Sequence, residues 1–205
     1  MVSWNGNTDG IWLSGDNNSA TDCFIFNNDD AFMTHGGSNT SITNCVTWGG
    51  TRGRLFWHGN DVSSNGFIMD NINAIGKDGS TAAILVDEGS AGVTLSNFTF
   101  KNIRMEERII PNQYNLNKFL ILRTDQKSIS TWKFENITLD NMLPDEGDLY
   151  GLSSSPINGI TFTNIKMDYN LHNPYQLLKA KPIRLHSGQG QQASAERWMW
   201  HFSKV

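Results

Sequence analysis

"SITNCVTW" (Ser41–Trp48) decides the fold, because "SATDCFIF" (Ser19–Phe26) repeats it almost position for position. Each stretch alternates apolar and polar residues at period two, which marks a strand with one buried face. Each also carries a polar Asp or Asn immediately before a cysteine. Four later segments share the plan: "FIMDNINAI", "GVTLSNFTF", "TWKFENITL" and "GITFTNIKM". The recurrent polar positions are then Asp22, Asn44, Asn71, Asn97, Asn136 and Asn164. Self-similarity at this period is the signature of a stacked architecture.

Asn at a fixed place in every repeat has a physical cause. It tolerates left-handed backbone at a bend, and its amide can pair with equivalent amides above and below. The repeats therefore predict an all-β, right-handed, single-stranded parallel β-helix, a solenoid, spanning residues 1–170. The expected interior column is Cys23, Cys45, Ile72, Phe98, Ile137 and Ile165. A twisted β-sandwich is the competing architecture, since short strands at intervals also suit one. Sandwich strands seldom keep one polar residue beside the same apolar pair through six repeats. After Asn170 the pattern stops, and 171–205 reads as a C-terminal cap or loose tail. The repeat is already running at "TDGIWLSG", so the chain reads as a piece of a longer solenoid, with open ends that invite self-association.

Composition narrows the function. The 205 residues carry a net charge of −4, and no basic stripe suits a nucleic-acid partner. No apolar run reaches membrane-spanning length, and no signal peptide is visible. Cys23 and Cys45 read as an unbonded stacked pair, and no ligand spacing suggests zinc. No metal or other cofactor is implied.

The chemistry concentrates in residues 8–32, "TDGIWLSGDNNSATDCFIFNNDDAF". One turn of the solenoid takes roughly 20–28 residues, and adjacent turns lie about 4.8 Å apart. Asp9 and the pair Asp29-Asp30 should thus meet on neighbouring turns. Crowding three acids raises the proton affinity of at least one, which is how a general acid arises. Two acids that activate water and one that protonates a leaving group make up an inverting glycoside hydrolase. Its acid and base stand about 6.5–9.5 Å apart. The plain alternative is that "NNDD" is a solvated turn.

"NTDG" (Asn7–Gly10), followed one turn later by "NNDDA" (Asn27–Ala31), resembles the active-site signature of pectinase-like β-helix glycosidases. These include the polygalacturonases and the dextranase and isopullulanase family, glycoside hydrolase family 49. The stretch "SNTSITNCVTWGGTRGRLFWHGNDVSSNGFIMDNINAIG" is more similar to the dextranase side. The likeness covers roughly residues 4–105, and its specific motifs are the two Asp motifs. It implies that Asp29 is the general acid and that Asp9 and Asp30 hold the attacking water. The polygalacturonase "GGHG" motif is replaced by "GGTRG", and the Arg-x-Lys that grips a uronate is missing. A neutral α-glucan such as dextran is therefore the expected substrate, with pectin as an alternative.

Aromatic faces stack on sugar rings, so Trp48, Arg52, Trp57 and His58 are candidate substrate-binding residues. Trp48 equally suits wall packing. His35 and His58 could each hydrogen-bond a sugar hydroxyl, but a structural hydrogen bond is the commoner role of a lone His. Arg52 and Arg54 each either hold the acids' charges or bind sugar, and Asp87-Glu88 reads as a cleft edge or solvated turn. Four glycosylation sequons occur, at Asn17, Asn39, Asn97 and Asn136, of which the last two fall on the ladder and are expected to be buried. A polysaccharide substrate implies a secreted or cell-surface protein. A non-catalytic polysaccharide-binding β-helix and an adhesin-like structural module are the competing functions.

Overall fold

The computed structural model describes residues 1–49, 53–59, 62–76, 83–86, 92–106, 120–124, 128–140, 148–151, 157–168 and 184–187. Among them the chain is all-β, and every strand pairing is parallel. The strands are β1 (Val2–Gly6), β2 (Ile11–Leu13), β3 (Ser19–Thr21), β4 (Phe24–Asn28), β5 (Phe32–Thr34), β6 (Gly37–Trp48), β7 (Phe56–His58) and β8 (Ser64–Ile75). They continue as β9 (Ile84–Val86), β10 (Thr94–Glu106), β11 (Leu120–Thr124), β12 (Ser128–Asp140), β13 (Asp148–Gly151), β14 (Ile157–Asp168) and β15 (Arg184–Ser187).

They sort into two sheets. The first runs β1-β4-β6-β8-β10-β12-β14, with β3 also against β6; the second runs β15-β13-β11-β9-β7-β5-β2. Strands of the two sheets alternate along the chain, and neighbours in each sheet follow sequence order. Strand β15 carries the second sheet into the segment 171–205.

The long strands bend twice, and the bends explain the recurrent Asn. One set of left-handed residues is Asp22, Asn44, Asn71, Asn102, Asn136 and Asn164, with φ between 53° and 56°. A second set stands five residues earlier: Asn17, Asn39, Gly66, Asn97, Thr131 and Gly159, also at positive φ. Positive φ crowds Cβ against the backbone, so Asn and Gly fill most of these places. After each bend the next residue turns inward; Thr40, Ile42, Cys45 and Thr47 in β6 are all buried. Amides link several steps of the first ladder: Asn71 Nδ2 donates to Asn44 Oδ1 at 2.9 Å, and Asn164 Nδ2 to Asn136 Oδ1 at 2.8 Å.

Two sequence expectations are corrected here. Asn97 belongs to the second ladder, and Asn102 takes the place assigned to it in the first. The interior column accordingly runs Cys45, Ile72, Ile103, Ile137 and Ile165 in register. Phe98 stands one column over, between Phe67 and Trp132. The sequons at Asn97 and Asn136 are exposed, not buried, because the ladder lies on the outside of its bend.

The two sheets face each other across one apolar core. Phe56 of the second sheet packs on Phe67 of the first, with ring centroids 4.8 Å apart. Deeper in the stack Phe98 lies flat on Trp132 at 4.3 Å, and Phe134 lies between Phe100 and Phe162. Each such side chain contributes roughly 1.5–3 kcal/mol when removed from water. Cys23, between β3 and β4, and Cys45, in β6, are free thiols. Burial pushes the Cys45 thiol up, which keeps it protonated and inert.

Candidate active site

The site is built on three bends, each leading from the first sheet into a short strand of the second. Residues 7–10 enter β2, residues 29–31 enter β5, and residues 53–55 enter β7. Ile11 pairs with Phe32, and Phe32 with Phe56. The residues two places earlier are Asp9, Asp30 and Arg54, which therefore occupy equivalent positions on successive bends. The backbone confirms the alignment: Gly10 N donates to Asp30 O at 2.7 Å, and Ala31 N donates to Arg54 O at 2.8 Å.

Asp9, Asp29 and Asp30 converge. One carboxylate oxygen from each lies within 4.8 Å of the others. Adjacent residues of a straight strand would point to opposite faces, so the chain must turn between Asp29 and Asp30. Asn27 holds that turn. Its side chain is fully buried, and its amide donates to the carbonyls of Asp29 and Asp30 at 2.8 Å and of Thr8 at 3.3 Å. Sequence reasoning gave Asn27 no role; a polar residue just before the acidic pair was the available signal. Asp29 Oδ1 in turn accepts the Asp30 backbone N–H at 3.0 Å.

The three carboxyls differ in surroundings. Asp9 is exposed, Asp29 half-buried and Asp30 4% exposed. Partial burial raises the Asp9 carboxyl above the ordinary range, and repulsion from Asp29 adds to it. The Asp30 backbone N–H and Arg54 oppose the rise without cancelling it. Burial also raises Asp30, against the pull of Arg54, whose backbone N–H reaches Oδ1 at 2.6 Å and whose guanidinium reaches Oδ2 at 2.9 Å. Burial and crowding thus favour the protonated form at Asp9 and at Asp30.

The nearest oxygens are closer than the 6.5–9.5 Å expected between the acid and base of an inverting pair. They do suit a shared water. A water donating both protons at about 2.8 Å spans acceptors about 4.5 Å apart. Three oxygens at this spacing would also suit a hard cation, but Arg54 already supplies positive charge to Asp30.

The remaining candidates separate clearly. His58 is fully buried: Nδ1 meets Thr34 Oγ1 at 2.9 Å and Nε2 meets Val62 O at 3.2 Å. It lies in register with Thr34 and Val86 in the second sheet. Its expected substrate contact is therefore corrected to a structural role, because inward parity takes the ring away from solvent. Trp57, one residue earlier, is half-buried with the Arg54 guanidinium 5.9 Å from its ring centre. Trp57 thus adjoins the cluster through Arg54. Trp48 is 54% exposed on the first sheet and edge-on to Phe26, which in turn packs against Trp4. His35 lies against Trp12. Arg52 and Asp87-Glu88 fall outside the described residues.

Comparison with known protein families, with curated proteins and with solved structures found no match to this chain.

Proposed function

We propose that this chain is part of a glycoside hydrolase that cleaves a polysaccharide by direct attack of water, with inversion. The convergence of Asp9, Asp29 and Asp30 beside Arg54 is the observation that carries the proposal. The architecture that best joins the two alternating parallel sheets is one right-handed parallel β-helix, with the acids on one outward line of bends. In the reaction a protonated carboxyl, assigned to Asp29, gives its proton to the glycosidic oxygen as the bond to the anomeric carbon breaks. A water held by Asp9 and Asp30 adds to that carbon from the other side and loses its proton to the carboxylate pair.

A neutral α-glucan such as dextran suits the site better than a uronate polymer, because Arg54, the cation next to the acids among the described residues, is already bound to Asp30. A polymeric substrate places the protein at the cell surface or outside the cell. Non-catalytic polysaccharide binding is the second reading, favoured by the exposed rings of Trp4, Trp12 and Trp48. Incubation with a panel of glucans, followed by NMR of anomeric protons, separates the two. New reducing ends support hydrolysis; line broadening of the polymer without new ends supports binding alone.

A further inference from the structure

We infer that Arg54 is a positioning residue of the acidic cluster: it clamps both oxygens of Asp30 and so fixes that carboxylate against Asp9 and Asp29. The inference rests on the hydrolase proposal for its functional meaning, while its physical content stands on the geometry alone.

Three features make the clamp specific. The Arg54 backbone N–H and guanidinium approach different oxygens of one carboxylate, at 2.6 Å and 2.9 Å. This fixes the carboxylate plane as well as its place, which a single contact cannot do. The close backbone approach requires Gly53. Its φ is +101°, and a Cβ there would lie 1.9 Å from the Asp29 carbonyl carbon. The guanidinium is backed by the ring of Trp57, and its Nε is buried without a hydrogen-bond partner among the described residues. This arginine commits one guanidinium nitrogen and its own backbone N–H to Asp30.

The charged groups facing Asp30 among the described residues are Asp9 from the bend before β2, Asp29 beside it, and Arg54 from the bend before β7. Arg54 lowers the proton affinity of both Asp9 and Asp30, opposing their burial. Removing its guanidinium leaves the three acids with no neighbouring cation among the described residues. An opposite charge at this range moves a carboxyl by about 1–3 pH units.

The test is a carboxyl ¹³C NMR titration of aspartate-labelled wild type, Arg54→Gln and Arg54→Lys. In Arg54→Gln the cluster should take up its proton at least about one pH unit higher. Arg54→Lys should fall between, since it keeps the charge and the backbone N–H contact to Oδ1 but not the rigid guanidinium approach to Oδ2. Superimposable curves for wild type and Arg54→Gln overturn the inference. If Arg54→Gln fails to fold, Arg54→Lys decides by itself: a smaller upward shift supports the clamp, and no shift overturns it. A glucan assay of wild type is scored separately. Wild type that hydrolyses nothing sinks the hydrolase proposal, yet leaves a titration shift as support for the clamp. With an active wild type, the acid limb of kcat/KM should move up in Arg54→Gln and return partly in Arg54→Lys. A purely architectural arginine would lower thermal stability without moving that limb.

Discussion

Asp9 stands directly beside Asp30 on the neighbouring bend, each two residues before a paired core residue, Ile11 and Phe32. Two like carboxyls at strand spacing repel unless a proton or cation intervenes. Asp29 repels both; Arg54 pairs directly with Asp30, so Asp9 bears its share of that repulsion with less compensation. Building this cluster costs folding free energy at neutral pH. The same crowding and burial raise the proton affinity of Asp9 and Asp30.

Asp9→Asn should therefore stabilise the protein slightly at pH 7. The Asp9 carboxyl is raised by burial and by Asp29. The folded state consequently binds its proton more tightly than the unfolded chain does. The associated stability is present below the ordinary Asp range and is lost as pH rises through the folded value. Thermal melts should show the variant above wild type at pH 7, with the gap closing near pH 3. An equal gap at both pH values would mean that charge is not its cause.

Asp29→Asn should lower kcat on a cleavable glucan by a factor of order 10² or more, because an amide cannot deliver the proton. Far-UV circular dichroism should be unchanged. Rates equal to wild type would remove Asp29 as the acid and move that role to Asp9, the more exposed member of the cluster.

His58→Ala should unfold the protein more readily without weakening sugar binding. It leaves a cavity beside Phe98, whose ring is 6.0 Å from the imidazole, and strips Thr34 Oγ1 of its partner. Together these cost about 3 kcal/mol. Urea denaturation measures the loss, and KM of the surviving folded fraction should match wild type. A raised KM at unchanged stability would restore the substrate-contact role.

How far the sequence reveals these features depends on how local each one is. Period-two alternation and the Asn bends are written in single segments, so the parallel sheets were legible. The phase of β10 was not. "LSNFTFKNIRM" holds two Asn five residues apart, Asn97 and Asn102, and both adopt positive φ. Only pairing with β8 and β12 shows which belongs to which ladder. The acids were legible because their motifs are contiguous and one repeat apart. The substrate-contact assignment of His58 failed on parity: the residue follows an outward Trp57, and the start of so short a strand cannot be phased without its neighbours. Arg54 could be suspected as a countercharge, but its two contacts to Asp30 depend on how closely the Gly53 backbone nests against Asp29.

Thr131 tests the second ladder. It is a β-branched residue at φ 59°, where its counterparts are Asn97 and Gly159. The left-handed region costs such a residue about 1–2 kcal/mol. Thr131→Asn should recover about 1 kcal/mol of this, worth roughly 2–4 °C in Tm for a chain of this size. A lowered Tm would mean that the hydroxyl makes a contact outweighing the backbone strain.

The stereochemical outcome distinguishes water attack from attack by a carboxylate. A retaining mechanism needs a nucleophilic carboxylate about 5–5.5 Å from the acid, and the close spacing of the cluster would allow that distance. Asp30 is poorly suited to the part: it is 4% exposed, and both its oxygens are engaged by Arg54. Asp29 has one oxygen tied to the Asp30 backbone N–H. Asp9 is the exposed member of the cluster, but its raised proton affinity disfavours the ionised form that a nucleophile needs. A water bridged between two of these oxygens, by contrast, fits separations up to 4.8 Å. An α-glucan should therefore release β-configured reducing ends, seen by NMR before mutarotation mixes the anomers. If the α anomer comes first, water attack is excluded and Asp9 becomes the candidate nucleophile, a role that trapping with a slow-leaving fluorinated glycoside would then locate.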